Sequence, residues 1–168
     1  FPILARGEDG YQNPRRAAAA TIDLKRRIER NLPKAIFQTG DKGIKLRDVQ
    51  AGNATLEAFV AQLSNTELEA ITRGGYTMNH PLGARGNAGI YGGVTESLRE
   101  KGVPVIVTTD GPSGIRLYDS CSLLPIGTSL ACSFDEKLME TLMAAVGGEM
   151  TARGSHVLLA PGMNIHRN

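Results

Sequence analysis

What this chain does without narrows its chemistry. It carries two cysteines, Cys121 and Cys132, with no histidine beside either and no metal-ligand spacing between them. A cysteine-based zinc site is therefore not expected, and two reduced, semi-buried thiols are the expected state. Reduced thiols make the cytoplasm the expected compartment. No apolar run approaches the roughly 20 residues that span a bilayer, and no basic-then-apolar segment opens the sequence. Basic residues cluster no further than Arg15-Arg16 and Lys25-Arg26-Arg27, and 19 Lys+Arg against 17 Asp+Glu leave a net charge of +2. Neither a nucleic acid nor a membrane is therefore expected as partner. The phosphate-binding patterns Gly-x-x-x-x-Gly-Lys-Ser/Thr and Gly-x-Gly-x-x-Gly between strand and helix are both missing, which leaves a nucleotide cofactor without its usual cradle.

What is present describes a folded domain. Apolar residues make up 41% and charged residues 21% of 168 residues, enough for one ordinary core. The sequence opens at Phe1 in a loop-like segment and closes at Asn168 just past a site-like arginine. Polar linkers or caps are usual at domain ends, so a piece of a longer polypeptide is expected.

Residues 1–14 are punctuated by Pro2, Gly7, Gly10 and Pro14 and read as irregular. Residues 15–31 read as a helix, alanine-rich, with Ile22, Ile28 and Leu32 as a loose stripe and Pro33 as its stop. Residues 38–53 read as loop with a short extended piece at 44–49. Thr55 then caps one short helix, and Ser64-Asn65-Thr66-Glu67 has the capping-box spacing to open a second. Residues 74–93 hold seven glycines and little periodicity, which is uncommon in a compact domain unless the stretch is functional. A short helix at 94–102 stops at Gly102. A buried strand follows at 104–109, then a long loop over 117–132 with a short extended piece at 128–132. Ser133-Phe134-Asp135-Glu136 reads as a capping box for a helix through Arg153 that buries Leu138, Met139, Leu142, Met143, Val146 and Met150. Gly147-Gly148 inside it would cost about 1 kcal/mol each relative to alanine, so close packing against a neighbour is expected there. A last strand is expected at 156–160.

The chemistry gathers at the ends of those two strands. PVIVTTDGPSGIR (104–116) runs from β-branched residues into Asp110, a Gly-Pro-x-Gly turn and Arg116. HVLLAP (156–161) runs into Gly162-Met163-Asn164-Ile165-His166-Arg167. With a helix between them they form a βαβ unit, and the carboxyl ends of such strands are where α/β proteins place polar sites. Asp110, Arg116, Asn164, His166 and Arg167 then share one rim. The plainer reading makes Asp110 a turn cap accepting backbone N–H groups, but capping does not call for two nearby guanidiniums. A carboxylate flanked by guanidiniums suits vicinal hydroxyls, the acid accepting and the arginines donating. His166 and His80 have no partner identifiable from sequence, and the helix methionines read as core. A glycosidase that retains configuration needs two carboxylates about 5 Å apart, and only one rim carboxylate can be nominated. The residues alone describe a polyol-binding half-site.

The same motifs resemble those of glycoside hydrolase family 3, the β-glucosidase family. The resemblance runs without a gap from about residue 104 to 168, and more loosely from about 45, through four ordered motifs. These are Asp110-Gly-Pro-x-Gly-x-Arg116, the Leu130-Ala-x-Ser-Phe-Asp135 segment, Gly147-x-Glu149 near the helix end, and Leu159-x-Pro-Gly-x-Asn-Ile-x-Arg167. It implies an α/β fold, the N-terminal part of a (β/α)8 TIM-type barrel at 51–168, preceded by a helical linker at 1–50. That arrangement is similar to the subgroup with reversed domain order. It implies that Asp110 accepts hydrogen bonds from the hydroxyls on carbons 4 and 6 of the terminal sugar, with Arg116 and Arg167 lining the same substrate-binding subsite. The family's Lys-His pair and nucleophilic Asp would follow Asn168, and its acid/base Glu would precede Phe1. No catalytic residue is therefore expected in this chain, no metal and no cofactor. A barrel takes about 250 residues, so the expected partners are a small β-glucoside and the rest of the parent polypeptide, or a second chain completing the barrel. Two other readings stay open: a nucleotide- or phosphate-binding α/β module using loop 83–93, and a non-catalytic sugar-binding remnant.

Overall fold

The computed structural model describes residues 22–162 throughout and, before them, the backbone of four two-residue strands. β1 (Pro2–Ile3) pairs antiparallel with β4 (Arg15–Arg16), and β2 (Arg6–Gly7) with β3 (Gly10–Tyr11). The chain divides into two compact units, Phe1–Ala35 and Ile36–Asn168.

In the first unit the helix expected over 15–31 is shorter: α1 spans Leu24–Arg30. The Asp23 carboxylate accepts the Arg26 N–H at 3.0 Å, which fixes the start of the helix there. Arg15 and Arg16 lie in a strand instead. The expected stripe is unburied, since Ile22, Ile28 and Leu32 are all exposed.

The second unit opens with helices. α2 (Leu46–Gln50), α3 (Leu56–Ala61) and α4 (Asn65–Arg73) follow one another, and their apolar faces meet in a cluster built on Phe59, Leu63, Ala70 and Leu98. Ile44, Leu46 and Val49 pack against that cluster, so residues 36–50 fold with this unit. Thr55 and Ser64 cap as their spacing predicts: Thr55 Oγ1 accepts from Ala58 N at 3.1 Å, and Ser64 and Glu67 exchange side-chain-to-backbone bonds. Where an extended piece was expected at 44–49, α2 forms. Asp48 reaches back to the Lys45 N–H at 2.8 Å, a cap whose first residue carries none of the usual side chains.

The sheet has three strands in the order β5 (Gly89–Gly92), β6 (Val105–Asp110), β7 (Val157–Leu159). β5 runs antiparallel to β6, and β6 runs parallel to β7 with Thr108 opposite Val157 and Asp110 opposite Leu159. The expected βαβ unit is therefore present, and the architecture is mixed α/β. α5 (Glu96–Glu100), capped by Thr95, precedes β6, with Gly102 at φ +84° ending its turn. β5 was not expected, because glycine at 89 and 92 hides the alternation that Ile90 and Tyr91 carry. Gly92 has Pro104 O where a Cβ would stand, at 2.4 Å, so the strand pair closes only on glycine.

Between β6 and β7 the chain forms α6 (Gly127–Ala131) and α7 (Glu136–Arg153). α6 replaces the extended piece expected at 128–132. The cap of α7 is Asp135, accepting from Leu138 N at 2.9 Å, and not Ser133; the Ser133 hydroxyl instead donates to Leu130 O. Of the six residues expected to be buried by α7, only Val146 is; Leu138 and Met143 are exposed and Met139, Leu142 and Met150 are half-buried. Three short strands are too narrow to cover one face of an 18-residue helix. Gly147 and Gly148 likewise have nothing within 4 Å of an added Cβ, so the close packing expected of them is not made.

Candidate functional site at the end of the central strand

β6 alternates as a half-covered strand should. Val107 and Thr109 are buried on one face, while Ile106, Thr108 and Asp110 are half-buried on the other. The strand thus carries a carboxylate to its carboxyl end on its more open face. There the chain reverses. Arg116 N donates to Asp110 O at 2.8 Å, and the two residues form an isolated antiparallel bridge around residues 111–115. The turn is closed by glycine: a Cβ on Gly111 would lie 2.4 Å from Gly114 O, and one on Gly114, at φ +105°, would lie 2.1 Å from Ser122 O.

This turn brings Asp110 and Arg116 together as the sequence indicates. A guanidinium N–H of Arg116 donates to Asp110 Oδ2 in a close ion pair. Asp110's side chain is 30% exposed and that of Arg116 70%, so the pair sits at the surface with its donors open to a ligand. Among the described residues the Asp110 carboxylate takes no N–H from its own turn, which sets aside the turn-cap reading. Arg167, with Asn164 and His166, lies outside the described residues.

Loop 77–88 closes one side of the rim, a role sequence reasoning did not give it. Its centre is Asn87, fully buried. Oδ1 accepts from His80 N at 3.2 Å, and Nδ2 donates to His80 O at 2.9 Å and Ala84 O at 2.8 Å. Asn79 Oδ1 accepts from Gly86 N at 2.8 Å, and Tyr118 N donates to Arg85 O at 3.1 Å, two residues beyond Arg116. His80 contributes its main chain, and its Nδ1 accepts from Leu82 N at 3.2 Å. An asparagine directly after a glycine, Gly86-Asn87, in an otherwise aperiodic stretch was the available signal. Beneath the turn lies an apolar cavity of ≈ 180 Å³, lined by Pro112, Leu124, Leu130, Met143, Val146 and Leu158 among others.

The strongest charge cluster is elsewhere. Lys101 Nζ lies 2.8 Å from Glu67 Oε1 and 2.9 Å from Asp41 Oδ2, with Lys101 and Glu67 both buried. Hydrogen bonds to Glu67 and Asp41 push the Lys101 pKa up. Burial pushes Glu67 up as well, but bonds from Lys101 and Ser64 outweigh it and leave its carboxyl below the ordinary value. No group of histidines, cysteines and carboxylates among the described residues could hold a metal ion. Cys121 and Cys132 are free thiols.

A carboxylate–guanidinium pair on the carboxyl rim of a parallel βαβ unit describes a mixed α/β protein with a candidate polar site. Comparison with known proteins gives the class a family. A β-glucosidase from Ruminococcus albus is 43% identical over 139 residues, 82% of this chain and 15% of that protein. β-Glucosidase A from Butyrivibrio fibrisolvens is 34% identical over 133 residues, 74% of this chain and 14% of that protein. The solved structure of a β-glucosidase from Paenibacillus barengoltzii matches with a TM-score of 0.85 at 49% identity, covering 99% of this chain and 18% of that one. No family model matches. This chain is homologous to a segment of β-glucosidases, and the resemblance to glycoside hydrolase family 3 drawn from its motifs is borne out. It spans less than a fifth of the length of each of these relatives.

Proposed function

We propose that this chain is part of a retaining β-glucosidase of glycoside hydrolase family 3 and supplies one side of the subsite for the terminal glucose. Residues 51–168 hold the opening βα units of a (β/α)8 barrel, residues 36–50 pack against the helices that open them, and residues 1–35 lead in from a preceding domain. Asp110 accepts hydrogen bonds from two sugar hydroxyls while Arg116 and Arg167 donate to the same ring. The nucleophilic carboxylate and the acid/base carboxylate come from outside these 168 residues. The chain binds and orients; it does not itself break the glycosidic bond.

One observation carries this reading: the Asp110 carboxylate stands at the C-terminal end of the central strand, paired with Arg116 and not with the N–H groups of its own turn. The half-open face of Ile106, Thr108 and Asp110 supports it, since a closing barrel would turn that face inward. Charge-assisted hydrogen bonds of this kind contribute about 1.5–3 kcal/mol each. In the parent polypeptide, Asp110→Asn is expected to lower kcat/KM for an aryl β-glucoside by roughly one to two orders of magnitude. Unchanged kinetics would remove Asp110 from the site.

A further inference from the structure

We infer that loop 77–88 is a positioning element for the sugar subsite, acting through Arg116 by holding the main chain of Leu117 and Tyr118. The inference rests on the assignment of Asp110 and Arg116 to that subsite and adds a part of the chain with no assigned role.

Arg116 is held on both sides. Upstream, its N–H is bonded to Asp110 O. Downstream, Tyr118 N is bonded to Arg85 O in the loop. The contact between loop and rim has no slack. A Cβ added to Gly86, at φ +83°, would lie 2.5 Å from Tyr118 N, 2.7 Å from Tyr118 Cδ1 and 3.0 Å from Leu117 C. Two of those three atoms are main chain, so the rim itself would have to move.

The loop can impose this position because it is anchored independently of the rim. The Asn87 side chain satisfies three main-chain groups of the loop. Ala88 N donates to Thr108 O at 2.9 Å, tying the loop's end to β6 two residues before Asp110. Gly83 approaches Val107 closely enough that a Cβ would lie 3.1 Å from its Cγ1. The loop therefore bridges the strand that carries Asp110 and the segment that follows Arg116. Displacing Tyr118 shifts the guanidinium relative to the carboxylate, and subsite geometry is sensitive to shifts of about 1 Å.

The test is a double-mutant cycle in the parent polypeptide, reading kcat and KM for an aryl β-glucoside and inhibition by glucose. Gly86→Ala is expected to reduce kcat/KM about tenfold or more and to weaken glucose inhibition in step, with secondary structure retained. In an Arg116→Ala background the same change is expected to cost less than about twofold, because the group it acts through is gone. Equal losses in both backgrounds would overturn the inference. Should Gly86→Ala not fold, Asn79→Gly replaces it, removing the acceptor for Gly86 N while tolerating the positive φ of 52° at that position. If Arg116→Ala alone leaves kinetics and inhibition unchanged, the subsite assignment fails instead.

Discussion

Asp110 and Arg116 meet twice, once through the main chain, where Arg116 N donates to Asp110 O, and once through the ion pair of their side chains. The first contact places the second: the antiparallel bridge sets the arginine beside the acid whatever ligand is present. The main-chain bond holds the turn, and the side-chain pair is not needed for it, which under the proposed function leaves both groups available to a sugar.

That division predicts a variant which loses function without losing stability. With Arg116's side chain 70% exposed, the pair is worth about 0–1 kcal/mol to folding. Asp110→Asn is therefore expected to leave the midpoint of thermal unfolding within a few degrees of the unsubstituted protein. A large drop would mean that the carboxylate is a structural group after all.

The Lys101–Glu67 pair predicts the opposite pattern. Both residues are buried, but close beneath the surface, so solvent partly screens what is left when one is removed. Lys101→Met strands the Glu67 carboxylate and is expected to cost about 1–3 kcal/mol in urea unfolding. Lys101→Met combined with Glu67→Gln is expected to recover part of that loss, and a double variant no better than the single one would show that the charges do not interact.

The same cluster sets an acid limb. Glu67 is held below its ordinary value of 4.5 despite the opposing effect of burial, and Asp41 below 3.8 by the Gly43 N–H and by Lys101. A carboxylate with a depressed pKa in the folded state contributes stability above its unfolded value, and that stability disappears as pH falls through the folded one. Unfolding midpoints are thus expected to fall as pH is lowered below 4.5. The fall should be shallower in Lys101→Met, and identical profiles for the two proteins would exclude the cluster as its source.

Sequence reasoning found the parts of the fold and of this site that rest on local rules. Thr55 and Ser64 cap where their side-chain oxygens stand three residues before the N–H groups that donate to them. The β-branched run from Val105 to Val107 forms the strand that delivers Asp110. It missed what depends on partners distant in sequence. β5 exists because Ile90 pairs with Val107, a contact that its flanking glycines disguise. The role of loop 77–88 rests on Arg85 meeting Tyr118, and no local pattern announces a carbonyl as a partner. For α7 the error ran the other way: its apolar residues promise a fuller core than three strands can offer.

Asn87 is expected to be the most sensitive polar position in the second unit. It is fully buried, and its side chain satisfies two carbonyls and one N–H of the loop. Asn87→Ala leaves the His80 N–H without a partner and removes one of two donors from His80 O and Ala84 O, which keep the N–H groups of Gly83 and of residue 87, and is expected to cost about 1–3 kcal/mol. Protease cleavage confined to residues 77–88, ahead of global unfolding, would show that the loss is local. A variant as stable and as resistant as the original would mean that the loop is held by something other than this side chain.

Gly147 and Gly148 give a measure of what α7 packs against. In this chain an added Cβ at either position meets nothing within 4 Å, and alanine is favoured over glycine in a helix interior by about 1 kcal/mol. Gly147→Ala is therefore expected to stabilise the 168-residue chain by about 0.5–1 kcal/mol in urea unfolding. In the parent polypeptide, where we propose that the barrel continues, a neighbouring element would lie against the exposed Leu138 and Met143 of the same helix. If it also covers the glycine pair, the substitution forces a methyl into a filled contact, and overpacking of that kind costs about 1–3 kcal/mol. A gain in the isolated chain with a loss in the parent would place the next element of the barrel on this stretch of α7. Equal gains in both would leave the glycines facing solvent and put the missing packing on another side of the helix.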